Sequence, residues 1–140
     1  VVDSRDRIAL YTDVVVKPNE IESARAFRGE IAETEFAKLA KALEKRTGRP
    51  AIVTAGAKGC YVSEAGRVTR VRACKVTGEI DFCGAGDTFL AGFGAMIAGG
   101  AEPVKAAQAA NLCSAVTIRK IGTTGTASRE EVLAAFDLYM

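Results

Sequence analysis

Residues Asp81–Gly94 read DFCGAGDTFLAGFG. Gly84, Ala85 and Gly86 come first, Asp87 stands directly behind them, and an apolar pattern at helical spacing runs through Phe89, Leu90, Phe93, Met96 and Ile97. This predicts a loop that opens a helix, with a carboxylate at the helix start. Two readings compete for Asp87. Aspartate is a common N-cap, whose side chain satisfies an orphan backbone N–H. Alternatively, the glycines let the backbone approach an anion, and the first helical amides, unpaired and partly positive, cradle a transferring phosphoryl group. Asp87 would then take the proton of an attacking hydroxyl.

Working outward, Asp13-Val14-Val15-Val16-Lys17 reads as a buried strand closed by Pro18, and a helix follows from Asn19-Glu20 to about Phe27. Phe36, Leu39, Ala40 and Leu43 recur at helical spacing, with Lys38, Lys41, Glu44 and Lys45 opposite them and Gly48 as a left-handed stop. Ala51–Thr54 reads as a second buried strand. Cys60–Ser63 and Val68–Val71 read as a hairpin turning at Glu64-Ala65-Gly66. Gly99-Gly100 closes the helix after Asp87, and Pro103 suits the first turn of the next. That helix is apolar nearly all round from Ala106 to Val116, so it is expected to be buried. Ser128 and Glu131 are spaced as a capping box for a last helix. Strands alternating with helices argue for an α/β fold, a three-layer αβα arrangement with a mainly parallel sheet. No repeat, low-complexity segment or linker divides residues 1–140. Val1-Val2-Asp3-Ser4 reads as the end of a buried strand, and no initiator methionine precedes it, so the chain is expected to begin within a longer protein.

Composition narrows the chemistry. Net charge is +2 without a Lys/Arg cluster, which gives no electrostatic reason to expect nucleic acid. No apolar run is long enough to cross a bilayer as a helix, so no membrane partner is expected. The chain has no histidine, which removes Ser-His and Cys-His catalysis. Cys60, Cys74, Cys83 and Cys113 form no C-x-x-C pair, give no zinc signal, and fit a reducing cytoplasm. Neither the G-x-x-x-x-G-K-S/T loop nor the G-x-G-x-x-G fingerprint is present.

Two further segments stand where an open α/β sheet binds ligands, beyond the carboxyl ends of strands. Lys17-Pro18-Asn19-Glu20-Ile21-Glu22 offers an amide and two carboxylates at a helix start. Thr54-Ala55-Gly56-Ala57-Lys58-Gly59 offers a hydroxyl and backbone amides. Each alone is as ordinary as any turn rich in Pro, Asn or Gly.

Together and in this order the segments resemble the C-terminal half of a ribokinase-like sugar kinase, the PfkB carbohydrate kinase family. The matches are PN-x-x-E at Pro18, Asn19 and Glu22, T-x-G-x-x-G at Thr54, Gly56 and Gly59, and D-x-x-GAGD at Asp81 and Gly84 to Asp87. The AAN-x-x-x-A-x-T pattern around Asn111 and the Gly122 loop also fit. The resemblance covers nearly the whole chain and implies ATP-dependent phosphorylation of a hydroxyl on a small sugar or sugar derivative. It implies Asp87 as the base, with the amides of Gly84, Ala85 and Gly86 as the anion hole. It also implies Asn19 and Glu22 near the phosphates and Mg²⁺, Glu22 acting through water. Thr54, Gly56 and Gly59 would meet the nucleotide, and Asn111 would lie close to the adenine. Many family members hold K⁺ beside the anion hole, a place that Asp81 and the backbone around Gly122 and Thr126 match. A homodimer of the full-length protein is left open.

Departures from the family pattern accompany the resemblance. Phe82 stands where a small or β-branched residue is usual, next to the cation and sugar positions. Cys83 beside the anion hole invites a nucleophile reading, against which Asp87 already supplies a base. Lys58 reads as a solvated surface lysine before a phosphate contact. Family members are roughly twice this length; the half that carries most sugar-binding residues and the lid has no counterpart here, so the fragment alone is expected to phosphorylate nothing. The alternative is a nucleotide- or metabolite-sensing module that keeps the fold without catalysis. In some vitamin-precursor kinases of the superfamily a cysteine stands at the place of Asp87, so the aspartate favours a sugar or nucleoside. The opening VVDSR and the KPN segment resemble heptose-kinase-like members.

Overall fold

A computed structural model describes residues 1–139. The chain divides into two compact units, Val1–Val71 and a second that starts at Arg72.

The first unit is built on β1 (Ala51–Thr54), β2 (Cys60–Glu64) and β3 (Arg67–Val71), an antiparallel sheet in the order β1-β2-β3. Ala51 lies opposite Ser63, and Cys60 opposite Val71. The β2–β3 turn is Ala65-Gly66, with φ of 49° and 75°. Positive φ at both central residues is the type I′ geometry whose twist matches its strands. Helix α1 (Glu20–Ala26) and helix α2 (Phe36–Thr47) complete the unit. Leu39, Ala40, Leu43 and Thr47 form the buried stripe of α2. Leu39, Ala40 and Leu43 join Ile8, Val16, Ala24, Ala51 and Val53 in one core cluster. Gly48, at φ 70°, ends α2 as expected. Emptying the Leu43 site by Leu43→Ala would cost about 2–5 kcal/mol.

The strand expected over residues 13–17 shrinks to a single bridge residue, Val16, paired in parallel with Val2 and with Ala51. Asp13 takes φ 58°, off the extended conformation, and Pro18 has no N–H to continue a ladder. The mainly parallel sheet is therefore not what the named strands form. Parallel pairing survives as isolated bridges on the free edge of β1, and the three strands themselves are antiparallel. Val2 takes part in one bridge, in keeping with the strand-like opening of the chain. Beside it, buried Lys17 meets Asp3 at 2.7 Å, the partner a buried ammonium requires.

The second unit contains α3 (Ala85–Ala98), α4 (Pro103–Thr117) and α5 (Arg129–Tyr139). Phe89 and Phe93 of α3 are buried, and from α4 so are Ala106, Ala107, Ala110, Leu112 and Ala115. A Cβ at Gly92 would lie 2.9 Å from the Cys113 sulfur, so a glycine there sets how closely α3 and α4 approach. Met96, counted on the apolar face by its spacing, is exposed. The Ser128–Glu131 capping box forms: the Ser128 N–H donates to Glu131 Oε2 at 2.8 Å, and the Glu131 N–H to Ser128 Oγ at 3.2 Å. No helix among the described residues is long and apolar enough to cross a membrane.

Candidate active site

The turn before α3 answers the question posed by Asp87. Gly84 is the N-cap, in left-handed geometry at φ 76°, and no side chain caps the helix. Asp87 lies in the first turn, exposed, with no hydrogen-bond or ion-pair partner among the described residues. The capping role is thus not the one it plays, although its charge still favours the positive end of the helix. Gly84 is required twice over. Its φ disfavours any L side chain, and a Cβ there would stand 2.6 Å from the Thr124 carbonyl oxygen.

The amides of this turn are not equivalent. Ala85 N–H donates to the Phe82 carbonyl at 3.1 Å, closing the turn. Among the described residues, no acceptor meets the N–H groups of Gly84, Gly86 and Asp87. Of the three amides expected to face an anion, Ala85 therefore already has a partner, and Asp87 contributes a free N–H that sequence reasoning missed. Three free N–H groups and a free carboxylate within four residues can receive negative charge and accept a proton.

Asp81 fastens this turn to the loop after α4. Its Oδ1 accepts the Cys83 N–H at 2.9 Å, and its Oδ2 the Gly122 N–H at 3.0 Å. These bonds, Cys83 first, hold its carboxyl below the usual carboxylate range. The Thr126 carbonyl receives the Lys120 ammonium, which also pairs with Glu131 at 2.8 Å. That ammonium, followed by the Ser128 N–H, lowers the Glu131 carboxyl. Of the groups matched to a monovalent cation, Gly122 presents an N–H and Thr126 already serves a positive charge. The Asp81 carboxylate and the Gly122 carbonyl remain oxygen donors of the kind such a cation takes.

Phe82 is 67% exposed beside the turn. Cys83 is exposed with a free thiol, whereas Cys60 is buried and its thiol is pushed up to about 12 by desolvation. Cys74 and Cys113 are half-buried and raised by the same cause. Asn111 is buried on α4, and its Nδ2 donates to the Arg72 carbonyl at 3.0 Å, anchoring the start of this unit.

In the first unit, the PN-x-x-E and T-x-G-x-x-G segments meet. Asn19 and Thr54 form a parallel bridge, and the Thr54 N–H donates to the Pro18 carbonyl at 3.0 Å. Asn19 and Glu22 form a reciprocal capping box for α1. Asn19 Oδ1 accepts the Glu22 N–H at 2.8 Å, and Glu22 Oε2 accepts the Asn19 N–H at 2.9 Å. The N-x-x-E spacing before a helix could have signalled this. Asn19 Nδ2 and Glu22 Oε1 have no partner among the described residues. A Mg²⁺ held by one carboxylate together with water and phosphate oxygens is compatible with that donor set. Gly56 and Gly59, at φ 51° and 91°, bracket a tight turn in which the Gly59 N–H donates to the Gly56 carbonyl at 3.0 Å. Lys58 is exposed, with its ammonium 4.9 Å from the centre of the Phe36 ring, a surface position.

A model of the pfkB family carbohydrate kinases matches residues 7–130. The bifunctional protein HldE of Hyphomonas neptunium is 35% identical over 127 residues, covering 89% of this chain and 26% of that protein. The ribokinase of Schizosaccharomyces pombe is 34% identical over 142 residues, covering 96% of this chain and 43% of its own length. Among solved structures, Arabidopsis thaliana ribokinase complexed with ribose and ATP matches with a TM-score of 0.76 at 22% identity, over 86% of this chain and 40% of that one. The chain spans less than half the length of each of these relatives.

Proposed function

The chain belongs to the pfkB family of carbohydrate kinases and has their ribokinase-like fold, and from that premise we propose that the whole protein transfers the γ-phosphoryl group of ATP to a hydroxyl of a small sugar or sugar derivative. The observation that carries this reading is the Gly84–Asp87 turn, where N–H groups and an exposed carboxylate stand side by side with no partner among the described residues. Asp87 accepts the proton as the acceptor oxygen forms its bond to phosphorus and ADP departs. The N–H groups of Gly84, Gly86 and Asp87 face the charge that spreads over the phosphoryl oxygens. Such fixed donors need no reorganisation during the reaction. Asn19 Nδ2 and Glu22 Oε1 serve the phosphate end of the nucleotide and its Mg²⁺, which would supply charge neutralisation there. Thr54 and the Gly56–Gly59 turn meet the nucleotide; Asn111, whose side chain holds the Arg72 carbonyl, is the residue that the family resemblance assigns to the adenine end.

The test is ³¹P NMR of the whole protein with ATP, Mg²⁺ and a panel of pentoses, hexoses, heptoses and nucleosides. A new phosphomonoester signal growing with the ADP signals is the expected result. Tight nucleotide binding by calorimetry, with no phosphomonoester from any acceptor, would contradict it and favour a sensing module.

A further inference from the structure

The Ser114 hydroxyl, on the last turn of α4, donates to the Ala85 carbonyl oxygen at 3.0 Å. That carbonyl belongs to the same peptide unit as the Gly86 N–H, and a peptide unit is planar. Fixing its oxygen therefore fixes the direction of the N–H on its other side. A hydrogen bond to the oxygen also polarises the unit, making the N–H a stronger donor. Gly86 is one of the three residues in the turn whose N–H has no acceptor among the described residues.

Serine in a helix often bonds back to the carbonyl four residues earlier. Ser114 instead reaches across to α3, so its hydroxyl is not satisfied within its own helix. Three residues on, at the end of α4, Thr117 Oγ1 lies 3.2 Å from Thr88 Oγ1 and 3.1 Å from the Cys113 carbonyl. The Thr88 N–H in turn donates to the Gly84 carbonyl at 2.9 Å. Two residues of the last turn of α4 thus grip the first turn of α3 by polar contacts. The Ala85–Gly86 peptide already lies in the helical turn of α3, and the Ser114 hydroxyl adds a second, external hold on its oxygen.

We propose that Ser114 is a positioning residue for phosphoryl transfer: through the Ala85 carbonyl it aims and polarises the Gly86 N–H toward the migrating phosphoryl group. This rests on the kinase reading of the Gly84–Asp87 turn. Ser114 touches no substrate, so its loss acts on the transition state more than on ground-state binding.

The experiment compares wild type, Ser114→Ala and Ser114→Thr in the whole protein, by steady-state kinetics and by the ¹⁵N shift of the Gly86 amide. Removing a donor outright costs 10²- to 10³-fold elsewhere, so misaiming one should lower kcat by about tenfold, with KM for ATP near wild type. The Gly86 ¹⁵N resonance of Ser114→Ala should move upfield, and Ser114→Thr should bring both quantities back toward wild type. A Ser114→Ala protein with wild-type kcat, or with lost activity and an unmoved Gly86 resonance, overturns the role of Ser114 and leaves the kinase reading standing. A wild-type protein that phosphorylates no acceptor overturns the kinase reading, and the role of Ser114 with it.

Discussion

Two helix starts in this chain carry polar residues at similar spacing and use them differently. Before α1, Asn19 and Glu22 turn inward on each other, and each satisfies the other's backbone N–H. Before α3, Gly84 through Asp87 leave three N–H groups and a carboxylate without partners among the described residues. Helices α2 and α4 also start without a side-chain cap, so openness alone does not mark a site. The start of α3 differs in its left-handed Gly84 N-cap, the Asp87 carboxylate in its first turn and the loop pinned through Asp81. Residue type and spacing alone do not separate a cap from a reactive turn. Tracing where each donor and acceptor goes separates a closed cap from an open turn.

The contrast breaks most sharply on stability at Gly84. Gly84→Ala places a side chain at φ 76° and against the Thr124 carbonyl. The strain and the clash together should cost about 2–4 kcal/mol, read as a lowered midpoint in urea. A variant as stable as wild type would show that the turn can relax and is not held by its neighbours. At the other helix start, Asn19→Ala removes the cap and should cost about 1 kcal/mol, while Asn19→Ser, an equally good cap, should stay close to wild type. If Asn19→Ser nonetheless weakens ATP binding, the free amide of Asn19 serves the nucleotide as well as the helix. The smallest effect concerns Asp81. Its carboxyl is depressed by the Cys83 and Gly122 N–H groups, so its contribution to stability is complete above the ordinary aspartate value of about 3.9 and fades as pH falls through the lower folded value. The ¹³C carboxyl resonance of Asp81 should titrate below that of exposed aspartates, and a midpoint at or above theirs would undo the pinned-loop description.

Local signals were legible in the sequence. Helix α2 with its Gly48 stop, the hairpin around Ala65-Gly66, α3 ended by Gly99-Gly100 and the Ser128–Glu131 box all follow from neighbours a few residues apart. What stayed hidden depends on distant partners. Glu44, placed with the solvent-facing lysines of α2, instead accepts from Ser63 Oγ and from the Gly66 N–H at 3.0 Å, holding the hairpin turn. The Asp13–Lys17 run is β-branched enough for a strand, yet its geometry ends at one bridge. In the candidate site, Gly84 and Asp87 were legible from their motif. The pairing of Ala85 with Phe82 was not, because a turn can close on any carbonyl. Ser114 carried no signal at all: its partner is a backbone oxygen 29 residues away.

Replacing Asp87 with asparagine in the whole protein tests the proposed chemistry most directly, since it keeps the shape and removes the base. On this account kcat falls by about 10²- to 10⁴-fold while ATP affinity and thermal midpoint stay near wild type. An Asp87→Asn protein that turns over its sugar at close to the wild-type rate would mean that the proton goes elsewhere, and that the open turn before α3 is not where transfer occurs.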